Sequence, residues 1–332
     1  MKLIDFGVRQ DEEKYIKEWS QINNIEVKIV SELLTPETVQ LAKGYDGIVA
    51  YQQLPYDEEV FDKMNEYGIH VISLRNVGVD NVPFEALKKN NIRLTNVPSY
   101  SPEAIAEYSV TGLMALLRNM KHMIRKVDQH DFRWEPDIGR ELNQLTVGVA
   151  GTGRIGRAAI KIYQGFGAKV IAFDKFHNRD IENENLYVDS LDTLMKESDV
   201  ITLHIPSLGK GHTVINKESI SEMKDNAIIV NTARGDLIDT QDLYDAVANG
   251  KLYGAVLDVY ENEVGVFNSD LSDQEFSDKL LEKIIKSPRF ILTPHIAFYT
   301  TKAVKNMATI SLNSMVDELK TGTSENEINL EK

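Results

Sequence analysis

The chain has 332 residues, 42% of them hydrophobic, with 51 acidic side chains against 37 basic ones and a formal charge of −14. That length exceeds what one hydrophobic core sustains and predicts two domains, while the acid excess argues against nucleic acid or an anionic membrane as partner. There is no cysteine, so disulfides, thiolate metal sites and thiol nucleophiles are excluded, and any redox chemistry must sit on a cofactor. No leader-like apolar segment and no run near the roughly 20 residues of a spanning helix is found, so a cytoplasmic protein is expected.

Two stretches alternate short β-branched runs with longer amphipathic segments, the pattern of parallel α/β sheets. In the first, "KLIDFGV" (2–8), "VKIV" (27–30), "DGIVA" (46–50), "VISLR" (71–75) and "IRLTNV" (92–97) read as strands. Helical segments from Asp11 and from Asp57 separate them. Then "SPEAIAEYSVTGLMALLRNMKHMIRKV" (101–127) is apolar at helical spacing throughout and predicts one long helix, with Ser101 as N-cap and Pro102 at its first position. "HDFRWEPDIGRE" (130–141) is too polar and broken for a core and reads as an arm crossing a surface.

A second set of strands follows at 146–151, 169–174, 199–205, 227–232, 253–259 and 290–294. The amphipathic segment from Thr300 comes after the last strand and predicts a return to the first domain. The fold class is therefore α/β, with two Rossmann-like parallel-sheet domains and a cleft between them. The expected boundaries are 1–99 plus 299–332 for a discontinuous, flavodoxin-like substrate domain and 100–298 for a nucleotide domain.

Within "VGVAGTGRIGRAAIKIYQGFGAKVIAFD", Gly151, Gly153 and Gly156 form G-x-G-x-x-G directly after a strand and at the start of a helix. The first glycine permits a tight turn, the second a close approach of backbone to pyrophosphate, the third close packing of helix on strand. Arg154 and Ile155 fall in the first helical turn, where N–H groups meet a phosphate. Asp174 ends the next strand, placed to accept hydrogen bonds from ribose hydroxyls and to repel a 2′-phosphate. The cofactor expected is NAD, and only Lys175 and Arg179 nearby speak for NADP.

Ligands of open α/β sheets bind beyond the carboxyl ends of strands. In the second sheet those positions hold Ile205 and Pro206, then Thr232, Ala233 and Arg234, then Asp258 with Glu263 beyond it, and finally His295 behind a proline. A nicotinamide moves a hydride, so reducing a carbonyl also needs an acid for the developing alkoxide, and His295 suits that role. Glu263 beside the ring would stabilise its protonated form, and the planar fork of Arg234 matches a carboxylate. A 2-oxo acid is the substrate these types imply, with Asp258 expected to orient Arg234 or the nicotinamide. In the first domain, the backbone N–H groups of Val77, Gly78 and Val79 are candidates for an anion nest. Tyr51 and Gln52 stand at a strand end, and Tyr100 at the hinge.

With "YQQL", "LRNVGVDN", "NVPSYSPEAIAEY", "HDFRWEPDIGRE", "GTGRIG", "NTARGDLIDT", "LDVYENEVGVFN" and "TPHIAFYTT", the sequence resembles the D-specific 2-hydroxyacid dehydrogenases over nearly its whole length. The resemblance implies that Arg234 holds the 2-oxo acid, that Glu263 supports His295, and that His295 gives the proton. It also implies NAD contacts at Arg154, Ile155, Asp174, Ile205, Pro206, Thr232, Ala233, Arg234 and Asp258. D stereochemistry and a homodimer joined through 101–145 are implied in the same way. Relatives acting on larger acids share this set. Bulky Tyr51, Leu54, Tyr100, Phe298 and Tyr299 suggest a small pocket and pyruvate, while 2-oxoisocaproate remains the alternative. A dinucleotide-sensing corepressor of the C-terminal-binding-protein type shares the fold, but the sequence lacks that type's disordered extensions.

Overall fold

The computed structural model describes residues 1–181, 185–209 and 211–331. In chain order the elements begin β1 (Lys2–Phe6), α1 (Glu13–Asn23), β2 (Glu26–Ile29), β3 (Gly47–Ala50), α2 (Glu58–Glu66), β4 (Val71–Leu74), α3 (Phe84–Lys89) and β5 (Arg93–Thr95). They continue with α4 (Pro102–Leu117), α5 (Met120–Asp128), β6 (Thr146–Ala150), α6 (Arg154–Gly165), β7 (Lys169–Phe173), α7 (Leu191–Glu197) and β8 (Val200–Leu203). The remainder is α8 (Lys217–Glu222), β9 (Ala227–Asn231), α9 (Thr240–Ala248), β10 (Leu252–Leu257), α10 (Lys279–Lys286), β11 (Phe290–Leu292) and α11 (Thr301–Thr321). Two compact units result, one of Met1–Ser101 with Tyr299–Lys332, the other of Pro102–Phe298. Among the described residues no helix is long and apolar enough to cross a membrane.

The first unit holds a parallel sheet of order β2-β1-β3-β4-β5. Its strands are apolar on both faces because helices cover both, as Ile4, Ile48 and Ile72 on one side and Leu3, Val49 and Val71 on the other illustrate. The long helix α11 lays Val304, Ala308, Leu312 and Met315 on the second of those faces. The order reverses between β1 and β3, where an open sheet presents a crevice at its carboxyl edge.

The second unit holds a parallel sheet of order β11-β10-β9-β8-β6-β7. Its reversal lies between β6 and β8. The helix expected over 101–127 is two helices, because Asn119 adopts a left-handed φ of 51° and breaks the run. The break is where the arm folds back. The Arg140 amide donates to Leu117 O at 2.9 Å, and Asn119 Nδ2 donates to Asp137 O at 3.2 Å. Phe132, Trp134 and Ile138 on that arm are 73%, 74% and 89% exposed, more than any core would leave uncovered.

Candidate active site

The glycine loop sits at the reversal of the second sheet. Gly151 takes a φ of 95°, and a Cβ there would lie 2.7 Å from the His204 carbonyl carbon and 2.9 Å from Ile205 Cγ2. Only glycine lets this turn pass the end of β8. A Cβ on Gly156 would run into the Gly151 carbonyl, whereas one on Gly153 would meet nothing within 4 Å. The backbone at Gly153 thus faces open space at the start of α6, and among the described residues no side chain caps that helix. Its first-turn N–H groups and dipole are arranged for an anion.

Asp174 follows β7 and is held before any ligand arrives. Its Oδ2 accepts from Thr152 N at 2.6 Å and Thr152 Oγ1 at 3.1 Å, and its Oδ1 accepts from Phe176 N at 3.0 Å. A carboxylate offers about four acceptor positions, so capacity remains for a ribose hydroxyl. Tyr187 fastens the same corner, with its hydroxyl 2.9 Å from Thr152 Oγ1 and accepting from Asn178 N at 2.8 Å. Thr232 Oγ1, buried beyond β9, has no partner among the described residues. The open glycine turn, the fixed carboxylate and this orphaned hydroxyl fit a dinucleotide.

At the end of β9, Asn231 shapes the turn that carries Arg234. Its Oδ1 accepts from Ala233 N at 3.0 Å and its Nδ2 donates to Arg234 O at 2.8 Å. Arg234 Nη1 donates to Ala233 O at 2.9 Å. The Ser207 hydroxyl, one residue past Pro206, donates to Asp236 and ties the β8 and β9 loops. A Cβ on Gly235 would collide with the Tyr260 carbonyl and lie 2.5 Å from Glu261 N, so the arginine loop can rest directly on the loop that carries Glu263.

That glutamate is pinned at both oxygens. Oε1 lies 2.6 Å from His295 Nδ1, and Oε2 accepts from Tyr260 N at 3.0 Å. Nδ1 of the ring is thereby committed to a carboxylate, which fixes its orientation. Nε2 has no partner among the described residues, and the side chain is 30% exposed. A proton on that nitrogen faces outward.

His295 itself has a left-handed φ of 57°, unusual for a side chain larger than glycine. Asp258 supplies the restraint. Its carbonyl accepts from His295 N at 2.7 Å, and its carboxylate accepts from Thr293 Oγ1 at 2.6 Å, Ile296 N at 2.9 Å and Ala297 N at 2.8 Å. Burial raises this carboxyl above its ordinary range, against the pull of those hydrogen bonds. The fully buried Asp258 side chain thus holds the histidine turn.

In the first unit, the Val77 carbonyl accepts from Asn96 Nδ2 at 2.6 Å and the Gly78 carbonyl from Asn76 Nδ2. With those carbonyls occupied, the amides of residues 77–79 donate to no described residue. Gln52 is buried, accepting from Leu34 N at 3.1 Å and donating to Leu54 O at 3.3 Å, which makes it a scaffold residue. The Tyr100 carbonyl accepts from Asn306 Nδ2 at 2.6 Å. Arg75 is fully buried and paired with Asp5 at 3.2 Å and Glu12 at 2.6 Å, an arrangement invisible in the sequence. Asn231, Gly235 and Tyr260 also escaped sequence reasoning, although the N-x-x-R-G spacing at a strand end was a usable signal for the first two.

Residues 110–297, more than half the chain, match the family described as D-isomer specific 2-hydroxyacid dehydrogenase, NAD binding domain. The chain is 52% identical over 331 residues to a D-lactate/D-glycerate dehydrogenase of Pediococcus acidilactici, covering 100% of both. It is 49% identical over 329 residues to a D-lactate dehydrogenase of Lactiplantibacillus plantarum, covering 99% of both. Among solved structures, D-2-hydroxyisocaproate dehydrogenase superposes with a TM-score of 0.91 at 43% identity, covering 99% of each chain. The chain belongs to the D-isomer specific 2-hydroxyacid dehydrogenases, and its second unit carries their NAD-binding domain.

Proposed function

We propose that the protein is an NADH-dependent D-lactate dehydrogenase that reversibly reduces pyruvate to D-lactate. The observation that carries this reading is the His295 Nδ1 to Glu263 Oε1 contact of 2.6 Å, which leaves Nε2 outward at the carboxyl edge of an NAD-binding sheet. Full-length relatives named for D-lactate support the choice of acid.

In this reading Gly151, Gly153, Arg154, Ile155 and Gly156 receive the pyrophosphate, and Asp174 takes the ribose hydroxyls and disfavours a 2′-phosphate. Ile205, Pro206, Thr232 and Ala233 flank the nicotinamide end, which Asp258 serves by holding the histidine turn. Bound NADH supplies the hydride. Arg234 pairs with the substrate carboxylate, assisted by the N–H groups at Val77 and Gly78. Tyr51, Tyr100 and Phe298 limit the room for the 2-oxo acid side chain. His295 gives its Nε2 proton to the keto oxygen as that oxygen gains charge, and Glu263 compensates the imidazolium beforehand. The overall change consumes one NADH and one proton per pyruvate.

We further read residues 101–145 as the seam of a homodimer, since the exposed Phe132, Trp134 and Ile138 need a cover, and we place the protein in the cytoplasm. The test of function is an NADH-oxidation screen over pyruvate, hydroxypyruvate, 2-oxobutyrate, 2-oxoisocaproate, phenylpyruvate and 2-oxoglutarate, with product chirality assigned. Highest kcat/KM on pyruvate with a D product supports the reading. A preference for 2-oxoisocaproate moves it to the larger hydroxy acids, and no turnover on any of them overturns it.

A further inference from the structure

At the reversal point of the first sheet, the loops after β1 and β3 carry Arg9 and Tyr51. The two loops adjoin, since Tyr51 N donates to Phe6 O at 3.2 Å. The Arg9 guanidinium lies 5.1 Å from the Tyr51 ring centroid and 5.6 Å from that of Tyr299. Both separations are within cation–π range, and a planar guanidinium is suited to stacking on aromatic faces.

Arg9 is not loosely placed. Its Nε pairs with Asp11 at 3.3 Å and its Nη2 with Glu12 at 3.1 Å, and Glu12 also accepts from Arg9 N at 3.0 Å. The other end of the Glu12 carboxylate, itself buried, lies 2.6 Å from Arg75 Nη1. Arg75 is anchored in turn by Asp5 at 3.2 Å and by the Phe6 and Gly7 carbonyls at 3.0 and 2.9 Å. Its guanidinium carbon is 5.7 Å from the Tyr51 ring. Tyr51 is therefore in contact range of two arginines that share the buried carboxylate of Glu12.

A buried ionic chain of this kind adds little to stability compared with well-packed apolar side chains. What it does supply is a fixed position for whatever rests on it. Tyr51 and Tyr299 rest on it, and both are among the aromatics that would limit the substrate pocket.

We propose that Arg9 is a positioning residue for substrate selectivity, holding Tyr51 and Tyr299 so that a small 2-oxo acid side chain is preferred over a branched, larger one. The proposal rests on the reading of Tyr51 as a substrate-facing wall. Without the guanidinium the two rings lose their common support, and the pocket accepts bulk more readily.

The experiment compares kcat/KM for pyruvate and 2-oxoisocaproate in the full-length wild type, Arg9→Met, Arg9→Lys, Tyr51→Ala and Arg9→Met/Tyr51→Ala, with NADH affinity followed by fluorescence. A few methylenes in a pocket are worth roughly 10- to 100-fold in discrimination. Arg9→Met is expected to lower the pyruvate preference about tenfold while NADH affinity stays within about twofold. Arg9→Lys, keeping the charge without the plane, is expected to recover part of the preference. The double variant should fall short of the sum of the two single effects, because the Tyr51 share of the Arg9 effect is already gone. An equal loss on both acids in Arg9→Met, or a double variant whose effects simply add, overturns the inference. If Arg9→Met fails to fold, the ratio in Arg9→Lys decides, and a wild-type ratio there overturns it. A shift in Tyr51→Ala with none in the Arg9 variants sinks this inference alone, whereas no shift in Tyr51→Ala sinks the pocket reading beneath it as well.

Discussion

Gly235 and Tyr260 are in backbone contact across two loops, so close that one added carbon on residue 235 would collide with the Tyr260 carbonyl and lie 2.5 Å from Glu261 N. The loop with Arg234 and the loop with Glu263 thus share a surface that only glycine permits. Gly235→Ala must push the loops apart, and the obstruction is backbone, which has no rotamer to yield. Displacements on the order of 1 Å near a reacting centre cost about 100-fold. Steady-state kinetics should show kcat/KM for pyruvate down by about that factor, while far-UV circular dichroism stays close to wild type.

Asp258 restrains a residue with a left-handed backbone, and its carboxylate accepts two N–H groups that an amide nitrogen cannot serve. In Asp258→Asn at least one acceptor of the three hydrogen bonds is lost. The cost of leaving a buried donor unsatisfied is about 1–3 kcal/mol. Urea unfolding should register that loss, and kcat should fall because His295 no longer keeps one position. Wild-type stability together with wild-type kcat would remove Asp258 from the role described.

In the proposed function Asp174 sets the choice of dinucleotide through its charge. Replacing it by serine keeps a short polar acceptor and removes the repulsion of a 2′-phosphate. The ratio of kcat/KM for NADH to that for NADPH should drop at least tenfold in Asp174→Ser. A ratio that stays put would mean that discrimination resides elsewhere.

His204 gives a pH dependence of stability. It sits at the end of β8 with Nε2 3.0 Å from Thr202 Oγ1, and desolvation pushes its pKa down to about 4 from 6.5. The unfolded chain therefore takes up a proton in the window from 6.5 to 4 that the folded chain refuses. The neutral ring contributes its full stability above 6.5, and that contribution is lost as pH falls towards 4. At about 1.4 kcal/mol per pKa unit, and allowing for partial solvent access, the loss is on the order of 2–3 kcal/mol. His204→Gln should lose correspondingly less between pH 7 and 4.5 in urea titrations, with the difference between the two proteins cancelling the shared carboxylates.

Much of this fold was legible in the sequence, for identifiable reasons. Buried parallel strands read as continuous β-branched runs, and helices between them separate cleanly. Strand pairing also makes neighbours of whatever follows β10 and β11, which is how Glu263 and His295 could be read as a pair. The sequence was silent where a contact depends on distant partners. Arg75 reads as a strand-end cation, and only the folded chain brings Asp5 and Glu12 to it. The break at Asn119 hides within uninterrupted apolar periodicity, because its cause is an arm some 20 residues further on. The turn that Asp258 holds was hidden for the same reason: its partners Thr293, Ile296 and Ala297 come from the next strand's loop.

We propose that His295 supplies the proton while hydride moves, and single-turnover oxidation of bound NADH by pyruvate in His295→Gln tests this most directly. General acid catalysis is worth about 100- to 10,000-fold. A fall of that size is expected, with NADH affinity unchanged within about twofold. Hydride transfer at the wild-type rate in that variant would contradict it.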